Sequence, residues 1–280
     1  MAMSGFLFMF GNAMVKHLAM SGIPPVEIVF FRSAFSLVVL SPFVLRSPGV
    51  LRTARLKLHI GRGVVQAFSM ICFFSGIGYV TLVEANALEF TAPIFATALA
   101  ILFFGDKIRA RRVIAMAVGF LGAIIALRPG FATLNEGHGL LLIASISWAG
   151  VLLMIRTMSK TESALTQSLY IGIVLTPIAA ALAIPVWVQP DWPQLGFLFA
   201  IGATATTGQF LFAQSFRYAE MSAVLPLDFT KLIWSTIIGY VAFSFVPDIF
   251  TLLGATIIFS AGAYITIREA QLQRQAAKMA

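Results

Sequence analysis

Seven charged side chains lie inside or at the ends of otherwise apolar stretches: Lys16, Glu27, Arg32, Glu84, Glu89, Asp228 and Lys231. In hydrocarbon such a charge costs about 2.5–3.5 kcal/mol on an insertion scale. Each must therefore face a cavity or a partner. A carboxylate in that setting fits a substrate or proton site, and a nearby ammonium would tune its pKa. A guanidinium can hold an anion, form a gate, or pair with a carboxylate to fix neighbouring helices.

Other chemistry is sparse. His17, His59 and His138 are far apart and have no metal-ligand spacing. Cys72 is the only cysteine and sits in an apolar run, as an inert buried thiol would. No GxxxxGK[ST] motif is present, so this chain alone does not drive transport with ATP. No cofactor or metal is expected. A lipid-modifying enzyme would need clustered histidines and carboxylates, which are missing.

The elements that position the charged residues follow from composition. Of 280 residues, 59% are apolar and 11% charged, with a mean hydropathy of +0.93. Soluble domains carry roughly 25% charged residues. The chain belongs in a lipid bilayer, and a soluble enzyme or nucleic-acid-binding module is excluded. Ten stretches approach the ~20 apolar residues that a spanning helix needs: 3–20, 25–45, 61–80, 84–104, 113–127, 139–156, 165–185, 194–216, 222–246 and 249–267. The expected fold class is an all-α membrane protein. The first span lacks a basic segment before it, unlike a cleavable signal peptide.

With the N-terminus placed in the cytoplasm, 15 of the 19 Lys and Arg fall on that side, counting Arg62 as a loop residue. Only Arg128 falls outside, and Lys16, Arg32 and Lys231 lie within spans. This bias puts both termini in the cytoplasm. Short loops and the lack of an N-x-[ST] sequon suggest a bacterial inner membrane.

The sequence also aligns with itself. Met14-Val15-Lys16 matches Met154-Ile155-Arg156 at an offset of 140, as Gly122 and Arg128 match Gly262 and Arg268. Leu88-Glu89-Phe90-Thr91 matches Leu227-Asp228-Phe229-Thr230 at 139, as Tyr79 matches Tyr218. Each half then holds five spans. An odd number inverts the second half, the architecture of many secondary transporters.

This duplication ranks the charged residues. Glu89 and Asp228 are equivalent and meet near the pseudo-symmetry axis, so they are the foremost substrate or coupling candidates. Pro93 and Pro226 lack the N–H that would bond the carbonyls of Glu89 and Ser222. The alternative for Asp228 is a stabilising pair with Lys231 three residues on. Arg32 is read first as a structural ion pair and second as an anion site. Glu84 begins a span, where a carboxylate suits a helix N-terminus. Lys16 and Glu27 lie near span ends and can reach the interface. Trp148, Trp234, Gln66, Ser69, Asn86, Thr206, Gln209 and Gln214 could complete a pocket. Gly119, Gly122, Gly254 and Gly262 would permit close helix contact.

Phe30-Phe31-Arg32-Ser33, the run from Glu84 through Glu89 to Pro93, and Phe104-Gly105-Asp106-Lys107 resemble the EamA-like drug/metabolite transporters. So do Gly119 to Gly122, Arg128-Pro129-Gly130, Leu227 to Trp234, and Pro247-Asp248 through Arg268-Glu269. The resemblance implies ten helices in two inverted EamA repeats, residues 1–130 and 138–270, with 271–280 as a cytoplasmic tail. It implies carriage of a small organic metabolite, in or out, and it places Trp148 and Trp234 at the cavity; proton coupling or exchange is the expected driving force. The pattern is nearest a branch that includes riboflavin and S-adenosylmethionine carriers. Asp106 departs from the family's usual Glu. Spans five and ten at the bundle edge leave a monomer or a homodimer open. A channel is disfavoured, because channels use symmetric subunits or filter rings.

Overall fold

The computed structural model describes residues 2–89, 135–158, 161–218, 230–246 and 248–279, with scattered positions between 91 and 125. Among these there is no strand. The helices are α1 (Ala2–Met20), α2 (Pro25–Arg46), α3 (Leu56–Ile77), α4 (Leu82–Glu89), α5 (Glu136–Met158), α6 (Ala164–Ala183), α7 (Trp192–Tyr218), α8 (Thr230–Phe243) and α9 (Ile249–Met279). A helix bonds its own backbone groups, which hydrocarbon cannot do. Five described stretches are long and apolar enough to cross a bilayer: Pro25–Arg46, Leu56–Ile77, Glu136–Ile155, Ala164–Val186 and Trp192–Phe212.

Two boundaries differ from expectation. The third span starts at Leu56 rather than 61, so Lys57, His59 and Arg62 are helical. The last helix continues to Met279, taking up residues expected as a tail. Most of the span 113–127 lies outside the described residues, as do Pro93, Asp106, Lys107, Arg109, Arg111, Arg112, Gly119, Arg128 and Pro226.

Local sequence explains the helix ends. The N–H of Ile23 bonds the Leu18 carbonyl and that of Gly22 bonds Ala19, with Gly22 at a φ of 87°. This left-handed stop suits glycine, and Pro25 then opens α2 at a position that needs no N–H. At the start of α7, Asp191 and Gln194 form a reciprocal capping box: Asp191 accepts from the Gln194 N–H at 2.7 Å, and Gln194 accepts from Asp191 at 2.9 Å. Inside α2, Pro42 removes the bond to the Val38 carbonyl. The Ser41 hydroxyl donates to that carbonyl at 2.7 Å.

The principal packing joins helices that precede residue 90 to helices that follow residue 135. α3 packs on α5, and α1 on α7; α2 packs on α7, and α3 on α6. α1 packs on α8, and α4 on α5; α2 meets α6, and α4 meets α8. At the offset of 139–140, α1, α2 and α3 correspond to α5, α6 and α7 in order, and the pairs formed among these six are the ones that the exchange relates. Exchanging each helix for its counterpart converts this set of pairs into itself.

Lipid tails are as apolar as leucine, so helix association depends on close packing and hydrogen bonds. Gly122 packs against Gly254 and Ile257 of α9, a close contact of the kind expected of these small residues. The approach of α2 to α7 requires Gly202. A Cβ there would stand 2.6 Å from Phe35 Cβ and 3.2 Å from the Arg32 carbonyl oxygen. Gly202→Val is expected to cost about 1–3 kcal/mol through overpacking, read as a lower Tm in detergent. Gly139→Ala, with nothing within 4 Å, is the control and should keep the parent Tm.

Candidate functional site

Arg32 lies two turns into α2 and borders a cavity of about 30 Å³ between α2, α3, α6 and α7. Its polar lining includes Ser36, Gln66, Ser168, Thr206 and Gln209. Lining positions correspond between the halves at the offset of 139 or 140: Arg32 with Ile171 or Gly172, and Gln66 with Ala205 or Thr206. The guanidinium Nη1 meets the Met70 sulfur at 3.5 Å, a weak acceptor. No ion-pair partner of Arg32 is present among the described residues. Gln66 is 3% exposed, and its side-chain oxygen has no hydrogen-bond partner among them. The Thr206 hydroxyl lies 2.8 Å from that of Ser36, joining α7 to α2.

A second polar group lies where α4 ends. Lys231 of α8 is 7% exposed and its ammonium stands 3.9 Å from the Glu89 carboxylate. The same ammonium lies 5.2 Å from the Phe8 ring centroid on α1, within cation–π range. The Leu88 carbonyl, at the broken end of α4, accepts the Thr91 hydroxyl at 2.6 Å and the Ser145 hydroxyl at 2.8 Å. Trp234 packs edge-on to Phe6 at 5.1 Å, and its buried indole N–H has no partner among the described residues. Phe8 connects the two groups, since it also packs on Gly208 beside Gln209.

The structure thus brings Glu89 and Lys231 together, sets Trp234 one turn along α8 against Phe6, and places Arg32 with Gln209 at one cavity. Asp228 lies outside the described residues. Trp148 is half-buried on α5 and does not line the cavity. Glu84 closes a capping box with Thr81, accepting its backbone N–H and hydroxyl at 2.8 Å each. Ser69 and Asn86 bond backbone carbonyls, of Ala144 and Leu82 respectively. Lys16 and Glu27 are not drawn out to an interface. Lys16 donates to the Ile77 and Val80 carbonyls at the end of α3. Glu27 is 0% exposed and accepts the Val188 N–H at 3.1 Å.

A third polar cluster escaped the sequence reading, which treated Arg62 as a loop residue. Arg62 is 1% exposed and donates to Gln167 of α6 at 3.1 Å. His59 Nε2 faces Glu162 at 3.9 Å, and the Thr53 hydroxyl donates to the same carboxylate at 2.6 Å. The His59 ring stacks on Tyr170 at 4.5 Å. The spacing 59, 62 and 66 on one helix face was the available signal. It was hidden because the span was started at residue 61. Among the described residues no three His, Cys, Asp or Glu side chains converge as a metal site.

The family model of the EamA-like transporter family matches residues 1–128 and again 135–267. The S-adenosylmethionine uptake transporter of Rickettsia bellii is 31% identical over 244 residues, covering 87% of this chain and 84% of that protein. The riboflavin transporter of Vibrio cholerae is 30% identical over 282 residues, covering 98% and 94%. A solved crystal structure of 16% identity superposes with a TM-score of 0.68 over 96% of this chain and 97% of that one, a likeness of fold.

The buried Arg62 cluster is testable by stability. Gln167→Leu removes the described acceptor of a guanidinium that water does not reach. A hydrogen bond to a charged group is worth about 1.5–3 kcal/mol, so a fall in Tm in detergent is expected. An unchanged Tm would show that Arg62 does not depend on Gln167.

Proposed function

The chain belongs to the EamA-like transporter family and is a membrane transporter, not an enzyme; from that premise we propose that it is a secondary transporter carrying a small organic metabolite across the inner membrane by alternating access. In this reading ten helices form two inverted repeats, residues 1–130 and 138–270, with both termini cytoplasmic. The exchange-symmetric packing of helices around a polar cavity carries the proposal. The twofold match of the family model supports it. Two halves that pack on each other reciprocally have two arrangements of similar energy, related by the symmetry. Interchange between them moves access to the cavity from one face to the other.

The cavity has room for on the order of one or two water molecules, not for a metabolite. It is the contracted form of the transport site, and it widens as the halves move. Glu89 and Asp228, at equivalent places in the two halves, bind or release the proton or contact the substrate, and Lys231 holds the carboxylate ionised. Breaking the Glu89–Lys231 contact frees α4 from α8, which couples the titration to movement of the halves. The names of the relatives offer riboflavin or S-adenosylmethionine uptake as the specific alternatives.

Counterflow in proteoliposomes with labelled riboflavin, S-adenosylmethionine and amino acids tests this. The parent protein is expected to accumulate one of them. Asp228→Asn should stay folded and lose accumulation. Full activity in Asp228→Asn would remove that carboxylate from the mechanism. Absence of any accumulation by folded protein would count against carriage of these compounds.

A further inference from the structure

Resting on the transporter reading above, we infer that the Arg32 cavity binds the α-amino-acid end of the substrate, carboxylate on the guanidinium and ammonium on the side-chain oxygens opposite. Arg32 offers five N–H donors in a planar fork, and its described acceptor is a thioether sulfur at 3.5 Å. Arg32 is half-buried, and a charge drawn part-way out of water is penalised unless it is paired. A carboxylate answers it with two parallel, charge-assisted hydrogen bonds. The opposite need lies in the same cavity. The Gln66 oxygen is buried without a donor. Gln66 and Met70 are one turn apart on α3, so the Met70 contact brings the guanidinium to that face. An ammonium supplies three donors, for the side-chain oxygens of Gln66, Gln209 and Ser168.

The asymmetry of the cavity points the same way. The helix packing is reciprocal between the halves, but the charge is not: among the described lining residues Arg32 alone is charged, and its counterpart is Ile171 or Gly172 at the offset of 139 or 140. Symmetric helix packing does not require that charge, whereas recognition of an asymmetric, zwitterionic ligand does. A neutral ring system such as a flavin would leave the guanidinium without an anion, so the cavity selects against it.

Equilibrium binding to the purified protein, run beside counterflow, tests the assignment. The probes are S-adenosylmethionine, its decarboxylated analogue and riboflavin. The amino-acid probe is expected to bind, and the decarboxylated analogue to bind about 30-fold more weakly. Arg32→Gln should produce a similar loss for the intact probe. Arg32→Lys, which keeps the charge and removes the fork, should lose less. If Arg32→Gln does not fold, the analogue alone decides. Riboflavin binding without binding of the amino-acid probe, equal binding of the two analogues, or no binding of any probe would overturn the subsite. Binding that obeys these expectations without counterflow would retain the subsite and overturn carriage.

Discussion

The bilayer interior solvates neither backbone nor side-chain polar groups, and the rest of this structure depends on that. Every buried N–H, carbonyl and charge must find its partner inside the protein. The chain meets the demand with helices and with hydroxyls placed where helices fail. Ser41 takes up the carbonyl that Pro42 releases, and Thr91 with Ser145 takes up the Leu88 carbonyl where α4 ends. Lys16 does the same for the last carbonyls of α3, a terminus that favours a cation. Glu27, in the first turn of α2, anchors the backbone N–H of Val188 in the loop before α7. Among the described residues, side-chain atoms of Glu27, His59, Arg62, Gln66, Asn86 and Trp234 lack a partner, and of these only Gln66 lines the cavity. Arg32 and Gln66 face one cavity, where a ligand can complete them.

Three polar groupings divide the work of the bundle. Each bridges helices from opposite sides of the chain. The Arg32 cavity lies between α2 and α3 on one side and α6 and α7 on the other. The Glu89–Lys231 contact joins α4 to α8. The Arg62 cluster joins α3 to the start of α6. Lipid supplies little force to hold helices together, so such links and close backbone contacts decide how firmly the halves are held. They are also the contacts that must break if the halves move. A transporter needs interfaces strong enough to define each state and specific enough to re-form.

Much of the reading was available one residue at a time. Glu84 at a span start was expected to favour a helix N-terminus, and it forms a capping box with Thr81. Lys231 was expected near a carboxylate. Among the described residues its partner is Glu89, from the other side of the chain, and Asp228 lies outside them. Arg32 was read first as a structural ion pair. The described residues supply a sulfur and a polar cavity instead. Arg62 counts as a loop residue from its charge alone, but it is helical and buried, with Gln167 as its acceptor.

The sequence by itself determined the class of the protein: its apolar runs require a bilayer, and its weak self-similarity implies two related halves. These are properties of composition and order along the chain. Only the tertiary structure decided which polar groups meet. Glu89 and Lys231 are 142 positions apart, and Arg62 and Gln167 are 105 apart. Such pairs form because helices from the two halves pack face to face. Periodicity within one helix reports which residues share a face, but not which helix that face meets.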